Sequence, residues 1–230
     1  RTSSVPQAPR APRAWIRRHA FGLPAQPPVG PSSSGIMQIE ECSALPVPHT
    51  GCGWGDVQII SGTDNHPISA GSSAVLLSRD ADLMRALATV RERLPGSVAC
   101  ALGHSQWLRW PHTEIWRSRL AQAYMDQLHT HGVLELPTCP ATGRGWERFV
   151  VHTNTTAQRD ALQQFLERSR IHSGSPLWHT LPGIGQLPGL AAWHGQALAL
   201  PLFAGLAATD QKRVINRMHR YLERQRSEPR

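Results

Sequence analysis

Lysine is almost missing from this 230-residue chain: Lys212 is the only one, and the positive charge is otherwise carried by arginine. Acidic residues are missing from its beginning, since none occurs before Glu40. No apolar run approaches the roughly 20 residues of a membrane span, which excludes a bilayer-crossing helix, and the apolar core of a secretory signal is absent as well. The cysteines, Cys42, Cys52, Cys100 and Cys139, lack Cys-x-x-Cys spacing. That excludes the usual zinc module and a disulfide framework, and points to free thiols in a reducing cytoplasm. Histidines are scattered, and His129-Thr-His131 has no third ligand nearby, so no metal site is expected.

What is present is an ordinary hydrophobic fraction of 40% and a net charge of +8. Such a charge raises the question of an anionic partner. Abundant Arg, Ala, Gly and Pro match a coding sequence biased toward GC-rich codons. In Arg91-Glu92-Arg93 and Glu167-Arg168 the arginines alternate with acids and do not form a basic stripe. Nucleic acid is therefore not the expected partner, although a basic nucleic-acid-binding protein stays open as an alternative class. The denser arginine at Arg1 to Arg18 and Arg213 to Arg230 reads as solvated or frayed tails. The Ser/Pro/Arg-rich start resembles a transit peptide in composition, and a broken or trimmed beginning is the better expectation.

Short apolar runs at Trp15 to Phe21, Ile36 to Ile39, Asp56 to Ile60 and Ser73 to Leu77 predict strands. Their lack of alternation suits strands buried on both faces. From Asp80, Leu83, Leu87, Val90 and Leu94 recur at helical spacing until Pro95. A second helix is expected from near Thr113, carrying Ile115, Leu120, Tyr124 and Leu128. A strand at Glu147 to His152, a helix at Thr156 to Arg170, and an edge strand at Leu198 to Phe203 interrupted by Pro201 follow. Thr209 is read as the cap of a last helix that buries Val214, Ile215, Met218 and Leu222. The organisation expected is a basic tail (1–14), an α/β unit (15–105), an α+β unit (106–224) and a short tail (225–230).

Three segments of the first half carry a family resemblance: Ile39-Glu-Glu-Cys-Ser-Ala-Leu45, Gly55-Asp-Val-Gln-Ile-Ile-Ser61 and Pro67-Ile-Ser-Ala-Gly71-Ser-Ser-Ala-Val-Leu-Leu77. The second half adds Arg117-Ser-Arg-Leu-Ala-Gln-Ala-Tyr124, Trp146-Glu-Arg-Phe-Val-Val-His152 with Arg159-Asp-Ala-Leu162, and Leu200-Pro-Leu-Phe203 with Asp210-Gln-Lys-Arg-Val-Ile215. In this order they resemble the DegT-type sugar aminotransferases. The resemblance implies part of a fold-type I pyridoxal-phosphate transferase large domain, followed by a small α+β C-terminal domain. It covers nearly everything after residue 15, while the family's N-terminal third has no counterpart.

The resemblance also assigns positions. The lysine that forms a Schiff base with pyridoxal phosphate falls at His66, which can act as a base but cannot form that bond. The carboxylate facing the pyridine nitrogen falls at Glu41, one methylene longer than the family's Asp, and a retained phosphate-holding serine falls at Ser61. The family glutamine is replaced by Ala44, and the Glu-Gly-Gly after Gly71 by Ser72-Ser73-Ala74. The expectation is a degenerate or truncated homologue without transaminase activity. No bound cofactor is expected, and pyridoxal or pyridoxamine phosphate is implied by resemblance alone. A link to nucleotide-sugar and surface-polysaccharide biosynthesis follows from the family, with a homodimer or an intact paralogue as partner. One family branch, the pyridoxamine-phosphate-dependent ketodeoxysugar 3-dehydratases, also has histidine at this position, so His66 as a catalytic base is the enzymatic alternative.

Overall fold

The computed structural model describes residues 13–25, 35–45, 53, 55–63, 66–71, 73–90, 95–128, 132–138, 144–176 and 188–227. The chain divides into two compact units, the first formed by residues up to Ala20 with Pro24–His104, the second by Phe21–Leu23 with Ser105 onward.

The first unit holds a four-stranded sheet in the order β1-β2-β3-β4, made of β1 (Ala14–Arg18), β2 (Met37–Glu41), β3 (Val57–Ser61) and β4 (Ala74–Leu77). β1, β2 and β3 run parallel, with Arg18 opposite Glu41 and Ile39 opposite Val57. β4 returns antiparallel, with Ser61 opposite Ala74. The parallel pairs bring three carboxyl-terminal strand ends to one edge of the sheet. In open α/β sheets that edge is where ligands bind. The expected burial on both faces is not met at the sheet edges. Ile16 is 69% exposed on the outer strand β1, and Val75 is 52% exposed on the outer strand β4. The helix α1 (Ala81–Val90) is capped by Asp80, whose Oδ1 accepts the N–H groups of Asp82 and Leu83.

The next helix, α2 (Ser97–Gln127), overturns the expected start near Thr113. It contains Pro111 and continues through it, although proline removes one ladder bond. The buried Trp110 beside it, 2% exposed, and the later anchors Leu120 and Tyr124 hold the helix where local propensity does not. Ile115, read as part of the buried face, is exposed.

The second unit packs helices on an antiparallel sheet of β5 (Leu134–Glu135), β6 (Phe149–Thr153) and β7 (Ala197–Leu200), in that order. α3 (Thr156–Arg168), α4 (Pro188–Gln196) and α5 (Ala208–Ser227) complete it. β7 is an edge strand as expected, and Gly174 caps part of its free side with two backbone hydrogen bonds to Ala199. Leu162, Leu166, Leu198 and Met218 are fully buried in one core with Tyr124 and Phe149. Burial of each such side chain is worth about 1.5–3 kcal/mol. The guanidinium of Arg117 donates to the carbonyls of Trp146, Glu147 and Leu202, tying α2 to the approach of β6 and the exit of β7. α5 buries Val214, Ile215, Met218 and Leu222 as expected. Two readings are corrected here. Thr209 lies inside the first turn of α5 instead of capping it, and Arg213 to Arg226 belong to a helix reaching Ser227.

Candidate functional site

The carboxyl-terminal edge of β1, β2 and β3 carries Arg18, Glu41 and Ser61 as its last strand residues. Two of the expected cofactor residues are joined there through an intermediary. The Ser43 N–H donates to Glu41 Oε1 at 2.9 Å, and the Ser61 N–H donates to Ser43 Oγ at 2.8 Å. The Ser61 hydroxyl lies 3.2 Å from the Thr63 hydroxyl and accepts the Thr63 N–H. His66 follows in the same turn, its N–H donating to the Thr63 carbonyl at 3.1 Å. The turn is closed by Gly62 N–H to Ser73 O and Ala70 N–H to Gly62 O. Gly71 leaves it at φ +61°, a left-handed conformation that glycine adopts without strain. Ala44, at the expected glutamine position, is fully buried and offers no polar group.

Sequence reasoning missed the residue that occupies Glu41. Arg18 sits opposite it in the β1–β2 register, and its Nε lies 3.0 Å from Glu41 Oε2. The carboxylate is therefore neutralised by a guanidinium on one oxygen and accepts a backbone N–H on the other. A protonated pyridine ring would need that carboxylate as its own counter-ion, and would meet the positive charge of Arg18 beside it. His66, which the resemblance places at the lysine position, cannot form a Schiff base, and Lys212, the only lysine, is exposed on α5 of the second unit. The residues present do not fit a covalently held pyridoxal phosphate.

One residue further in, β2 carries a second carboxylate that is fully buried. Glu40 accepts the Nε2–H of His19 at 2.9 Å and the N–H groups of Gly53 and Gly55. Burial pushes its carboxyl up, but the hydrogen bonds from His19 and Gly53 outweigh that and hold it below its ordinary value. A side chain at Gly55 would meet Glu40 Cβ at 2.9 Å, so the loop reaches this carboxylate only as glycine.

Among the described residues, His19, Glu40 and Cys42 form the one group of metal-ligating types close enough to share an ion. Their hydrogen bonding argues for a structural clamp. His19 Nδ1 already accepts the Ala25 N–H at 2.9 Å, so a metal on Nε2 would leave no room for the Nδ1 proton of a neutral ligand. His129 and His131 lie outside the described residues, as do Cys52 and Cys139. Neither Cys42 nor Cys100 forms a disulfide; the first is buried, with its thiol on the Glu40 carbonyl, and the second is exposed.

A cleft of about 430 Å³ opens at the other end of the strands, lined in part by Met37, Asp56, Arg79 and Asp80. Its acids are engaged in holding the fold. Asp56 accepts the Gln38 N–H at 2.7 Å, and Asp80 caps α1.

Comparison with known proteins bears on the same strands and helices. No curated protein sequence matches the chain. Solved structures with the same fold include a DegT DnrJ EryC1 StrS aminotransferase from Brucella abortus, 20% identical with a TM-score of 0.75 over 90% of this chain and 63% of that one. The aminotransferase TlmJ from Streptoalloteichus hindustanus is 21% identical, with a TM-score of 0.77 over 96% of this chain and 69% of its own. DesV of S. venezuelae, solved with a ketimine intermediate, is 20% identical at a TM-score of 0.77, covering 92% and 65%. The chain thus spans about two thirds of the length of these proteins. The fold is the mixed α/β architecture of fold-type I aminotransferases. The sequence profile of the DegT/DnrJ/EryC1/StrS aminotransferases matches residues 80–219, more than half of the chain, and the chain belongs to that family.

Proposed function

We propose that the chain is a homologue of nucleotide-sugar aminotransferases that does not transaminate, and that its role in nucleotide-sugar or surface-polysaccharide biosynthesis is that of a non-catalytic binder or a subunit-like partner in the cytoplasm. The observation that carries this reading is the Arg18–Glu41 pair at 3.0 Å. It removes the free carboxylate on which the electron-sink chemistry of the cofactor depends, at the same edge where the lysine position holds His66. Ser61 keeps a hydroxyl suited to a phosphate, yet here it is directed to Thr63. Ala44 adds no amide where the family has one.

A second reading rests on His66 itself. Imidazole is a competent base near neutral pH, which suits a ketodeoxysugar 3-dehydratase with pyridoxamine phosphate held without a covalent bond. Arg18 beside Glu41 weighs against it, because the ring would again share its counter-ion.

Titration of the purified protein with pyridoxal phosphate, followed by visible absorbance and borohydride reduction, tests the proposal. The expected result is no lysine-type band and no reducible adduct. A band that disappears on adding an amino donor overturns it. Tight binding of pyridoxamine phosphate that is lost in His66→Ala establishes the dehydratase reading in its place. Arg18→Ala is the informative companion, since freeing Glu41 is expected to raise non-covalent cofactor affinity by about tenfold, equivalent to about 1.4 kcal/mol.

A further inference from the structure

The arginines that read as a frayed tail form part of a built surface. α5 (Ala208–Ser227) carries six lysine or arginine side chains against two acidic ones, Asp210 and Glu223. Its buried side is Gln211, Val214, Ile215, Met218, Tyr221 and Leu222. Beside it, Arg213, Arg217, Arg220 and Arg224 recur at spacings of four, three and four, which places them in one row along the helix.

Both ends of that row are pinned to α3. Arg213 Nη2 donates to the Ser169 carbonyl at 2.6 Å, and the Arg224 guanidinium lies 5.3 Å from the centre of the Phe165 ring. Arg217 and Arg220 stand between the two anchors. Arg168 and Arg170, both exposed, extend the row at the end of α3 where Arg213 is anchored.

Arg170 is informative by its backbone. It has φ +57° at the position after α3 where glycine is the usual residue, with the Ile171 N–H returning to Leu166 O at 3.0 Å. An arginine is held in a left-handed conformation that does not favour it, directly after the Ser169 carbonyl that anchors Arg213. The acids of α3 are engaged elsewhere: Asp160 pairs with Arg159, and Glu167 accepts from Gln163. Among the described residues, no carboxylate forms an ion pair with Arg168, Arg170, Arg213, Arg217, Arg220 or Arg224.

We propose that the seam between the outer faces of α3 and α5 binds the phosphodiester backbone of nucleic acid without reading sequence. Guanidinium groups match phosphate oxygens in fork geometry. The row from Arg213 to Arg224 spans about 16 Å of helix axis, a length over which one strand of duplex DNA carries about five phosphates. A lipid surface fits less well. None of the large exposed hydrophobic side chains belongs to α3 or α5, so the face has nothing to insert below the headgroups.

The test uses the full chain and a short fluorescein-labelled duplex, with anisotropy read from about 50 mM to about 200 mM salt, over which four phosphate contacts predict an affinity loss of about a hundredfold. Arg217→Glu with Arg220→Glu is expected to abolish binding at the lower salt while leaving the melting temperature unchanged. If that variant melts early, Arg217→Gln with Arg220→Gln replaces it, and is expected to flatten the logarithmic salt slope by about 2. Arg79→Glu with Arg85→Glu, in the first unit, changes the net charge equally and is expected to bind nearly as well as the native chain. Any of three results overturns the proposal: no binding by the native chain at the lower salt, equal loss in the first-unit control, or binding to phosphatidylserine vesicles without binding to the duplex.

Discussion

At the scale of single residues, two adjacent glutamates on β2 have opposite fates. Glu41 ends the strand, half-buried, and is taken up by Arg18. Glu40 is fully buried and is held by His19 and the N–H groups of Gly53 and Gly55. The second arrangement makes stability depend on acid. The Glu40 carboxyl is held below its ordinary value near 4.5, so its contribution is complete above that pH and is lost as the pH falls through the lower folded value. Glu40→Gln is expected to cost about 2 kcal/mol at neutral pH by weakening charge-assisted hydrogen bonds. The gap between native and variant, measured by urea unfolding, should narrow as the pH drops below about 4.5. A gap constant across that range would show that the charge of Glu40 contributes nothing. The candidate positions Glu41, Ser61 and His66 come from the family resemblance, and the structure adds that Glu41 and Ser61 are linked through Ser43. Arg18 was not legible, because its pairing with Glu41 depends on a strand register between segments more than twenty residues apart, which local pattern does not fix.

Among the secondary-structure elements, legibility followed how much of the signal was local. α3 was readable from its apolar spacing, and the structure adds its cap: Thr155 Oγ1 accepts the Gln158 N–H at 3.2 Å just before Thr156. Thr155→Ala should cost about 1 kcal/mol, visible as a lowered midpoint in chemical unfolding with an unchanged slope. A neutral result would mean that packing of Leu162 and Leu166 alone sets the helix start. α2 was misread for the opposite reason. Pro111 is a strong local stop signal, and only tertiary contacts such as the burial of Trp110 override it. α5 shows a third case, in which composition misleads. Its arginines suggested a solvated or frayed end, while the apolar spacing of Val214, Ile215, Met218 and Leu222 marked the helix correctly, and the structure extends it to Ser227.

For the whole molecule, the family profile over residues 80–219 takes in the three segments of the second half, and the three of the first half are supported by the fold of structures only about one fifth identical in sequence. Fold survives at that identity because cores tolerate substitution when size and pattern are kept. The chemistry of a site need not survive with it, and on the proposed reading His66 in place of a lysine changes which bonds are possible. The subunit-like role makes a prediction at this scale. Size-exclusion chromatography with light scattering should show a self-associated species that grows with concentration, or a complex when an intact paralogue is added. A strict monomer under both conditions would remove the partner role from the proposal.

The clamp on Glu40 has a practical consequence. Because the Ala25 amide can only donate, His19 Nδ1 must accept, and the ring carries its single proton on Nε2, enclosed against a carboxylate. Such a proton exchanges slowly with solvent and resonates far downfield of the ordinary imidazole range. It supplies a magnetic-resonance reporter for the integrity of the first unit, readable in any ligand titration without a label.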